Sequence, residues 1–276
     1  MKPRVMSLVI FTCVVGMLIS PNQINFFNAL ISLLAVALGA GAAGSLNMWY
    51  EADLDALMTR TCLRPIPLGK VTKNQALIFG VLTSILSITV LYVFSNLLSA
   101  IILTVTILFY VLIYTIWLKK RTPQNIVIGG AAGAFPPVIG WTIASSNIAF
   151  EPIILFLIIF FWTPSHFWAL SLYKAEDYNN AKIPMLPNVA GIKVTKINIF
   201  VYSLILFFVS LFPFFLGYFG FIYFITSTVL GTYYVFLCYK LLIANSNYIK
   251  ISKKIFIYSI IYLFLIFLII LIDSII

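Results

Sequence analysis

Charged residues are scarce in this chain. Of its 276 residues, 9% are Asp, Glu, Lys or Arg, whereas about a quarter of a soluble domain is charged. Apolar residues make up 63% and lie in long continuous runs, as helices of ~20 residues that span a bilayer require. A transmembrane β-barrel would show alternating segments of ~10 residues instead. The sequence therefore predicts an all-α integral membrane protein.

Histidine and cysteine are also rare. The single histidine, His166, excludes a metal site built from several histidines of one copy of the chain. The three cysteines, Cys13, Cys62 and Cys238, form no CxxC pair, and two of them lie in apolar runs. A disulfide framework or a zinc site is therefore not expected.

Nine apolar segments are expected to span the membrane. They cover 4–20, 26–48, 73–94, 97–117, 125–146, 152–172, 197–217, 219–243 and 254–275. The pair around Gly217 is nearly continuous, so seven or eight spans are alternatives. With nine, every loop lysine and arginine falls on the side of the N-terminus, and the other side receives only Glu151 and Asp273. Because positive loops stay inside, we expect one domain, 1–276, with its N-terminus in the cytoplasm.

The net charge of +10 follows largely from this one-sided bias, and the same charges attract anionic lipid. The basic residues are spread over membrane-flanking loops, so no nucleic-acid partner is expected. The first segment lacks a small-residue cleavage site and is expected to be a retained span. No Arg- and Ser-rich transit peptide precedes it, which favours a bacterial plasma membrane over a mitochondrial inner membrane.

Acidic residues cluster at the end of the second predicted span. Asn47, Glu51 and Asp55 are spaced four apart and would share one face of a helix, whereas Asp53 would point elsewhere. Two carboxylates and an amide offer the hard oxygen ligands that Mg²⁺ prefers. These residues therefore predict a metal site at the mouth of a membrane-embedded enzyme.

Two arginines follow the acids. Arg60 and Arg64 are also four apart, and planar guanidinium groups suit phosphate oxygens. Together the two groups predict a metal–diphosphate site. The alternative is a solvated helix end at which the acids simply pair with the arginines.

Small residues precede the acidic stripe on the same span. Such a face indicates close helix packing or, alternatively, room for an isoprenoid ligand. Its members are Ala37, Gly39, Ala40, Gly41, Gly44 and Ser45.

Further candidate residues lie in the middle of the chain. Lys119, Lys120 and Arg121 either orient the protein in the membrane or contact phosphate. Pro136-Pro137 should break a helix inside the bilayer.

The sixth span carries the histidine. An ionisable group within a span is a functional candidate, although His166 could also be a hydrogen-bonded core residue between Trp162 and Trp168. Asp177 follows at the predicted cytoplasmic end, on the same side as the first acidic stripe. The two acidic ends could therefore bracket a diphosphate.

In aggregate, these motifs resemble the heme-modifying branch of the UbiA-type intramembrane prenyltransferases. The resemblance covers about residues 2–190, and the last three spans match only in hydropathy. The matching pieces are Lys2-Pro3-Arg4, Asn47-x₃-Glu51-x-Asp53-x-Asp55, Arg60-Thr61-x₂-Arg64-Pro65, Tyr114-Thr-x-Trp-Leu-Lys119-x-Arg-Thr-Pro-x-Asn125, Gly129-Gly-x₂-Gly-Ala-x-Pro-Pro-x₂-Gly-Trp141, His166-Phe-Trp-Ala-Leu170 and Asp177-Tyr-x₂-Ala-x-Ile-Pro-Met-Leu-Pro187.

The resemblance implies nine helices around a central cavity and a Mg²⁺-dependent transfer of farnesyl from farnesyl diphosphate to a vinyl group of heme B, which is a substrate and not a cofactor. It also implies heme A synthase or oxidase assembly proteins as partners. The implied metal ligands are Asn47, Glu51, Asp55 and Asp177. These residues and the two arginines, Arg60 and Arg64, form the implied catalytic set. The implied substrate contacts are Lys119, Arg121, His166, Trp168, Lys174 and Tyr178.

The second motif departs from the wider family. Related quinone-type enzymes have two aspartates there, four apart, but here Tyr173 and Lys174 precede Asp177. The first stripe is therefore expected to carry most of the metal binding. A quinone-type aromatic acceptor is the nearest alternative, against which the segments around His166 and 183–187 argue. A small-solute transporter would instead need polar sites at mid-membrane.

Overall fold

The computed structural model describes residues 3–22, 24–59 and 61–275, with the side chains of residues 3–5 excepted. Arg60, a predicted diphosphate contact, lies outside the described residues. Within these ranges the chain forms helices and no strand. The helices are α1 Pro3–Leu18, α2 Phe26–Tyr50, α3 Ala52–Leu57, α4 Lys73–Phe94, α5 Leu97–Leu108 with a π-helical continuation over Phe109–Leu118, α6 Asn125–Ala134, α7 Pro136–Ser145, α8 Phe150–Tyr173, α9 Ala175–Asn180, α10 Leu186–Phe215, α11 Phe221–Ile243 and α12 Tyr248–Asp273.

Eight helical segments in the described chain are long and apolar enough to cross a bilayer. They are α2, α4, α5 with its π-helical continuation, α6 with α7, α8, α10, α11 and α12. Mid-helix side chains such as Leu86, Phe208 and Ile261 are exposed on the outer surface, which only a lipid surrounding makes favourable. The chain is therefore an all-α multi-pass membrane protein. The apolar part of α1, Met6–Leu18, is shorter, so nine spans and a cytoplasmic N-terminus stay predictions.

The helices form a closed bundle. Along the chain α2 packs on α4, α4 on α5, the π-helical segment on α6, α6 on α8, α8 on α10, α10 on α11 and α11 on α12. Helix α12 returns to α8 and also contacts α1, which in turn contacts α2. The first and last helices therefore join the two halves of the molecule.

Helix α1 is held by an unusually close approach to α7. A Cβ atom added at Gly140 would lie 1.9 Å from the carbonyl oxygen of Cys13, and one added at Gly16 would lie 2.1 Å from that of Pro137. Only glycine allows the two backbones to come so near. The predicted break at Pro136-Pro137 is present, because α6 ends at Ala134 and α7 begins at Pro136.

Helix α10 begins at Leu186, earlier than the predicted start at 197. Gly191 has φ 83° and ψ 168°, so the first turn is set apart from the spanning part. The apolar run that predicted the span corresponds to the part after this kink.

Candidate active site

The acidic stripe forms across a helix junction. Helix α2 ends at Tyr50, and Glu51 lies between α2 and α3 with φ −95° and ψ 10°. The N–H of Glu51 donates to the carbonyl of Asn47 at 3.0 Å, and that of Asp55 donates to the carbonyl of Glu51 at 2.8 Å. Helical spacing therefore continues through the junction. Asn47, Glu51 and Asp55 are all buried, at 1%, 2% and 3% exposure, whereas Asp53 lies outside and pairs with Lys73 at 2.8 Å.

Glu51 meets a cation from a distant part of the chain. The ammonium of Lys119, which follows the π-helical segment, lies 2.5 Å from Oε1 and 2.6 Å from Oε2 of Glu51. Only the contact to Oε2 has hydrogen-bond geometry, so Oε1 is a buried acceptor that receives no hydrogen bond from the described part of the chain. Burying a carboxylate without a nearby cation costs free energy. Lys119 supplies the positive charge that allows Glu51 to be buried.

Asp55 meets a cation from the loop that follows α3. Nη1 of Arg64 lies 2.5 Å from Oδ2 of Asp55, and the hydroxyl of Thr61 donates to the backbone carbonyl of Asp55 at 3.0 Å. The alternative interpretation of the sequence, in which an acid pairs with a nearby arginine, is realised for this pair. It takes place inside the protein, however, and not at a solvated helix end.

Asn47 is oriented by a residue that sequence reasoning missed. Its amide nitrogen donates to the hydroxyl of Thr115 at 3.1 Å, and that hydroxyl donates to the carbonyl of Tyr110 at 2.9 Å. A hydroxyl has a single hydrogen, so Thr115 can only accept from Asn47. The amide oxygen of Asn47 is therefore turned away from Thr115. The only sequence signal was the position of Thr115 four residues before Lys119.

Asp177 lies on the short helix α9 and has its own partners. The hydroxyl of Thr59 lies 2.8 Å and 2.7 Å from its two carboxylate oxygens, and the ammonium of Lys174 lies 3.7 Å from Oδ2. Thr59 belongs to the loop after α3, so this contact joins the two acidic regions. Sequence reasoning missed Thr59, which is a single exposed hydroxyl without a pattern.

The described residues do not form a ready-made metal cage. Among them, no three His, Cys, Asp or Glu side chains converge closely enough to hold a metal ion. The donor set nevertheless suits Mg²⁺, which takes one or two carboxylates and completes its shell with water and substrate phosphate. The Oε1 atom of Glu51 is a carboxylate oxygen of the kind that Mg²⁺ takes, and it is buried and accepts no hydrogen bond from the residues that the structure describes.

Open space adjoins the acidic stripe. A Cβ atom added at Gly44, one turn before Asn47, would meet no heavy atom of the described residues within 4 Å, although Gly44 is buried. One added at Gly39 would meet Leu103 at 3.0 Å. The small-residue face of α2 therefore packs closely at Gly39 and borders open space at Gly44, and its use by an isoprenoid ligand stays a prediction.

The predicted heme contact His166 lies deep in the bundle. Its ring stacks between Trp162, at 4.2 Å between ring centroids, and Phe256, at 4.6 Å. Its Nδ1 atom lies 2.6 Å from the hydroxyl of Ser259 on α12. Both ring faces are thus covered by protein, as in a hydrogen-bonded core histidine. A contact between His166 and heme stays a prediction.

The remaining predicted substrate contacts are dispersed. Trp168 is buried against Tyr202, with ring centroids 5.3 Å apart, and Tyr178 packs in the apolar core. Lys174 lies beside Asp177. Arg121 is exposed and forms no ion pair with another described residue. The structure therefore gathers Asn47, Glu51, Asp55, Arg64 and Lys119 into one site and links Asp177 to it through Thr59.

Comparison with known proteins decides the family. The profile of the UbiA prenyltransferase family matches residues 9–270. The chain belongs to this family. Within it, the chain is 61% identical over 277 residues to the protoheme IX farnesyltransferase of Pelagibacter ubique (strain HTCC1062), which covers 100% of this chain and 91% of that protein. It is 51% identical over 275 residues to the protoheme IX farnesyltransferase of Bartonella bacilliformis (strain ATCC 35685 / KC583 / Herrer 020/F12,63), covering 99% and 88%.

Solved structures of UbiA-type proteins share the fold. A structure described as digeranylgeranylglyceryl phosphate synthase superimposes with a TM-score of 0.82 at 20% identity, covering 99% of this chain and 95% of that one. A UbiA homolog from Archaeoglobus fulgidus, bound to DMAPP and Mg²⁺, superimposes with a TM-score of 0.68 at 15% identity, covering 94% and 96%. At these identities the likeness establishes the fold alone.

Proposed function

We propose that this UbiA-family protein transfers the farnesyl group of farnesyl diphosphate to a vinyl group of heme B, giving heme O, in a bacterial plasma membrane. The names of its relatives, 61% and 51% identical over nearly the full chain, support this assignment. The carrying observation in the structure is the pairing of two buried carboxylates with two cations, Glu51 with Lys119 and Asp55 with Arg64. A heme A synthase or an oxidase assembly protein would receive the product.

The reaction breaks the C–O bond between the first farnesyl carbon and the diphosphate, and its electron pair leaves with the diphosphate. The π electrons of the heme vinyl group form the new C–C bond to that carbon. Water then adds to the resulting cation and loses a proton, which leaves a hydroxyethylfarnesyl side chain. Lys119 and Arg64 neutralise the charge that develops on the leaving group.

Asn47, Glu51 and Asp55 would hold Mg²⁺, with Asp177 contributing from the second acidic region. Bound there, magnesium supplies positive charge that stabilises the departing diphosphate. The paired arrangement suits this role. Before the substrate binds, Lys119 and Arg64 compensate the charges of the buried carboxylates. Once it binds, the carboxylates would contact the metal and the two cations the diphosphate. The space beside Gly44 would receive the start of the farnesyl chain.

The test is incubation of the purified protein in lipid nanodiscs with heme B, farnesyl diphosphate and Mg²⁺, followed by mass spectrometry. We expect a product heavier than heme B by one farnesyl group and one hydroxyl group, lost on chelation and restored by added Mg²⁺. Asp55→Asn should abolish it, and Asp53→Asn, at the exposed acid on the same short helix, should retain it.

Two results would contradict the proposal. Prenylation of an aromatic acid such as 4-hydroxybenzoate, with no prenylated heme, would overturn the acceptor. Full Mg²⁺-dependent turnover by Asp55→Asn would overturn the metal role of the stripe.

A further inference from the structure

The outer face of α12 carries a shallow, open hollow, called the groove below, that is lined by three lysines and three largely apolar side chains. It has a volume of about 350 Å³, and its lining residues are Lys250, Lys253, Lys254, Ile257, Tyr258 and Ile261. All six lie on α12, the lysines in its first turns and the apolar side chains in the next two. The groove is separate from the acidic site and from the bundle interior.

No carboxylate of the described chain compensates these lysines. None of the three forms an ion pair among the described residues. After Asp177 the next acid in the sequence is Asp273, which lies at the other end of α12. There Asp273 accepts hydrogen bonds from the N–H groups of Gly220 and Tyr223. The groove therefore has an uncompensated positive end.

Aromatic side chains lie beside one of the three lysines and beside this end of α12. The ammonium of Lys254 lies 5.8 Å from the ring centroid of Tyr233, and Tyr233 packs edge-on against Tyr258 at 4.8 Å. Phe256 packs against Tyr173 at the end of α8. This end of α12 therefore lies on the same side of the bundle as Asp177, which is the predicted cytoplasmic side.

The groove also has the length of a lipid. From Lys250 to Ile261 the helix rises roughly 16 Å, and half of the hydrocarbon core of a bilayer is about 15 Å thick. Ile257 and Ile261 are 50% and 47% exposed, so they present apolar surface below the ammonium groups. A molecule with a negative head and apolar tails matches both parts.

We propose that this groove binds one anionic glycerophospholipid of the cytoplasmic leaflet. The lysines contact the phosphate-bearing headgroup, and Ile257 and Ile261 pack along an acyl chain. Anionic headgroups are attracted to lysines close to the membrane surface. Ile257 and Ile261 add an apolar surface for the acyl chain, which a cluster of surface lysines alone would lack. The site does not depend on the chemistry proposed for the acidic cluster.

The test is native mass spectrometry of the full-length protein in detergent with added phosphatidylglycerol, compared with phosphatidylcholine of the same acyl chains. The groove variant is Lys250→Gln/Lys253→Gln/Lys254→Gln. The matched control is Lys70→Gln/Lys182→Gln/Lys193→Gln, which removes the same charge from three other exposed lysines. Thermal unfolding should be unchanged in both, because all six side chains are exposed.

We expect the groove variant to bind phosphatidylglycerol at least about tenfold more weakly than the unmodified protein, and the control variant to bind it normally. Phosphatidylcholine should bind weakly to all three proteins. Equal losses in both variants, or equal affinity for the two lipids, would overturn the proposal. So would full competition by millimolar inorganic phosphate, because the site would then hold a free anion and not a lipid.

Discussion

Thr59 and Asp177 are 118 positions apart in the sequence, yet the hydroxyl of Thr59 lies 2.8 Å and 2.7 Å from the two carboxylate oxygens of Asp177. The contact joins the loop after α3 to α9. Through it, the second acidic region is tied to the loop that also supplies Arg64 to Asp55. The two halves of the proposed diphosphate site are therefore held together by a neutral hydrogen-bond donor.

Replacing Thr59 should therefore impair catalysis without unfolding the protein. Thr59→Val keeps the shape of the side chain but removes the donor, and a hydrogen bond to a charged group contributes about 1.5–3 kcal/mol. We expect kcat/KM for heme farnesylation to fall about tenfold. Thr59→Ser, which retains the hydroxyl, should stay close to the unmodified enzyme. Equal activity of the Val and Ser variants would show that the bond does not position Asp177.

The pair of Glu51 and Lys119 allows stability to be separated from activity. Lys119→Met leaves a buried carboxylate without its cation, which should lower the free energy of unfolding by about 3 kcal/mol. The double variant Glu51→Gln/Lys119→Met removes both charges and should recover most of that stability. Both variants should lack farnesyltransferase activity, because each lacks a group that faces the diphosphate.

Thermal unfolding in detergent, alongside the mass-spectrometric assay, checks these expectations. If Lys119→Met had the same thermal stability and the same farnesyltransferase activity as the unmodified protein, Lys119 would have neither role.

Thr115 should affect metal binding through Asn47. Thr115→Val removes the hydroxyl that accepts from the amide nitrogen of Asn47 and so orients this predicted ligand, and loss of such a supporting hydrogen bond weakens metal binding about tenfold or more. The measurement is the affinity for Mn²⁺ in the presence of inorganic diphosphate, by electron paramagnetic resonance. Thr115→Ser is the control and should bind Mn²⁺ normally. A normal affinity in Thr115→Val, or an equal loss in both variants, would contradict this role.

Gly44 should control the space for the prenyl chain. Gly44→Leu would fill the open region beside α2, so we expect the KM for farnesyl diphosphate to rise about tenfold and the shorter geranyl diphosphate to be less affected. Gly44→Ala adds one methyl group to a site with room for it and should behave like the unmodified protein. Unchanged kinetics in Gly44→Leu would place the farnesyl chain elsewhere.

Much of the helical architecture was predictable from hydropathy. The predicted span 73–94 coincides with α4, Lys73–Phe94, because an apolar run between polar loops has no alternative in a bilayer. The start of α10 was missed because its first turn, before Gly191, lacks the apolar run that marked the span. Helix α1 is short and is stabilised by packing against α7. Its length alone does not show whether it spans the membrane.

The candidate site, too, was predictable from the sequence only in part. The spacing of Asn47, Glu51 and Asp55 predicted a shared stripe, since residues four apart adjoin on a helix. The pairing of Asp55 with Arg64 was the alternative to a metal–diphosphate site in the sequence, because the two residues are close in the chain. Thr59 and Thr115 could not be found, because the role of a hydroxyl depends on the group that faces it, and helices distant in the sequence bring that group there.

The sequence by itself determined that the protein is helical and membrane-spanning, and that its rare acids gather at helix ends beside arginines. These properties follow from composition and short-range spacing. Only the tertiary structure decided that Lys119 faces Glu51, that Thr59 binds Asp177, and that Gly44 borders open space while Gly39 does not. The physical reason is that burial makes an unpaired charge costly, and which partner relieves that cost depends on the packing of helices distant in the chain.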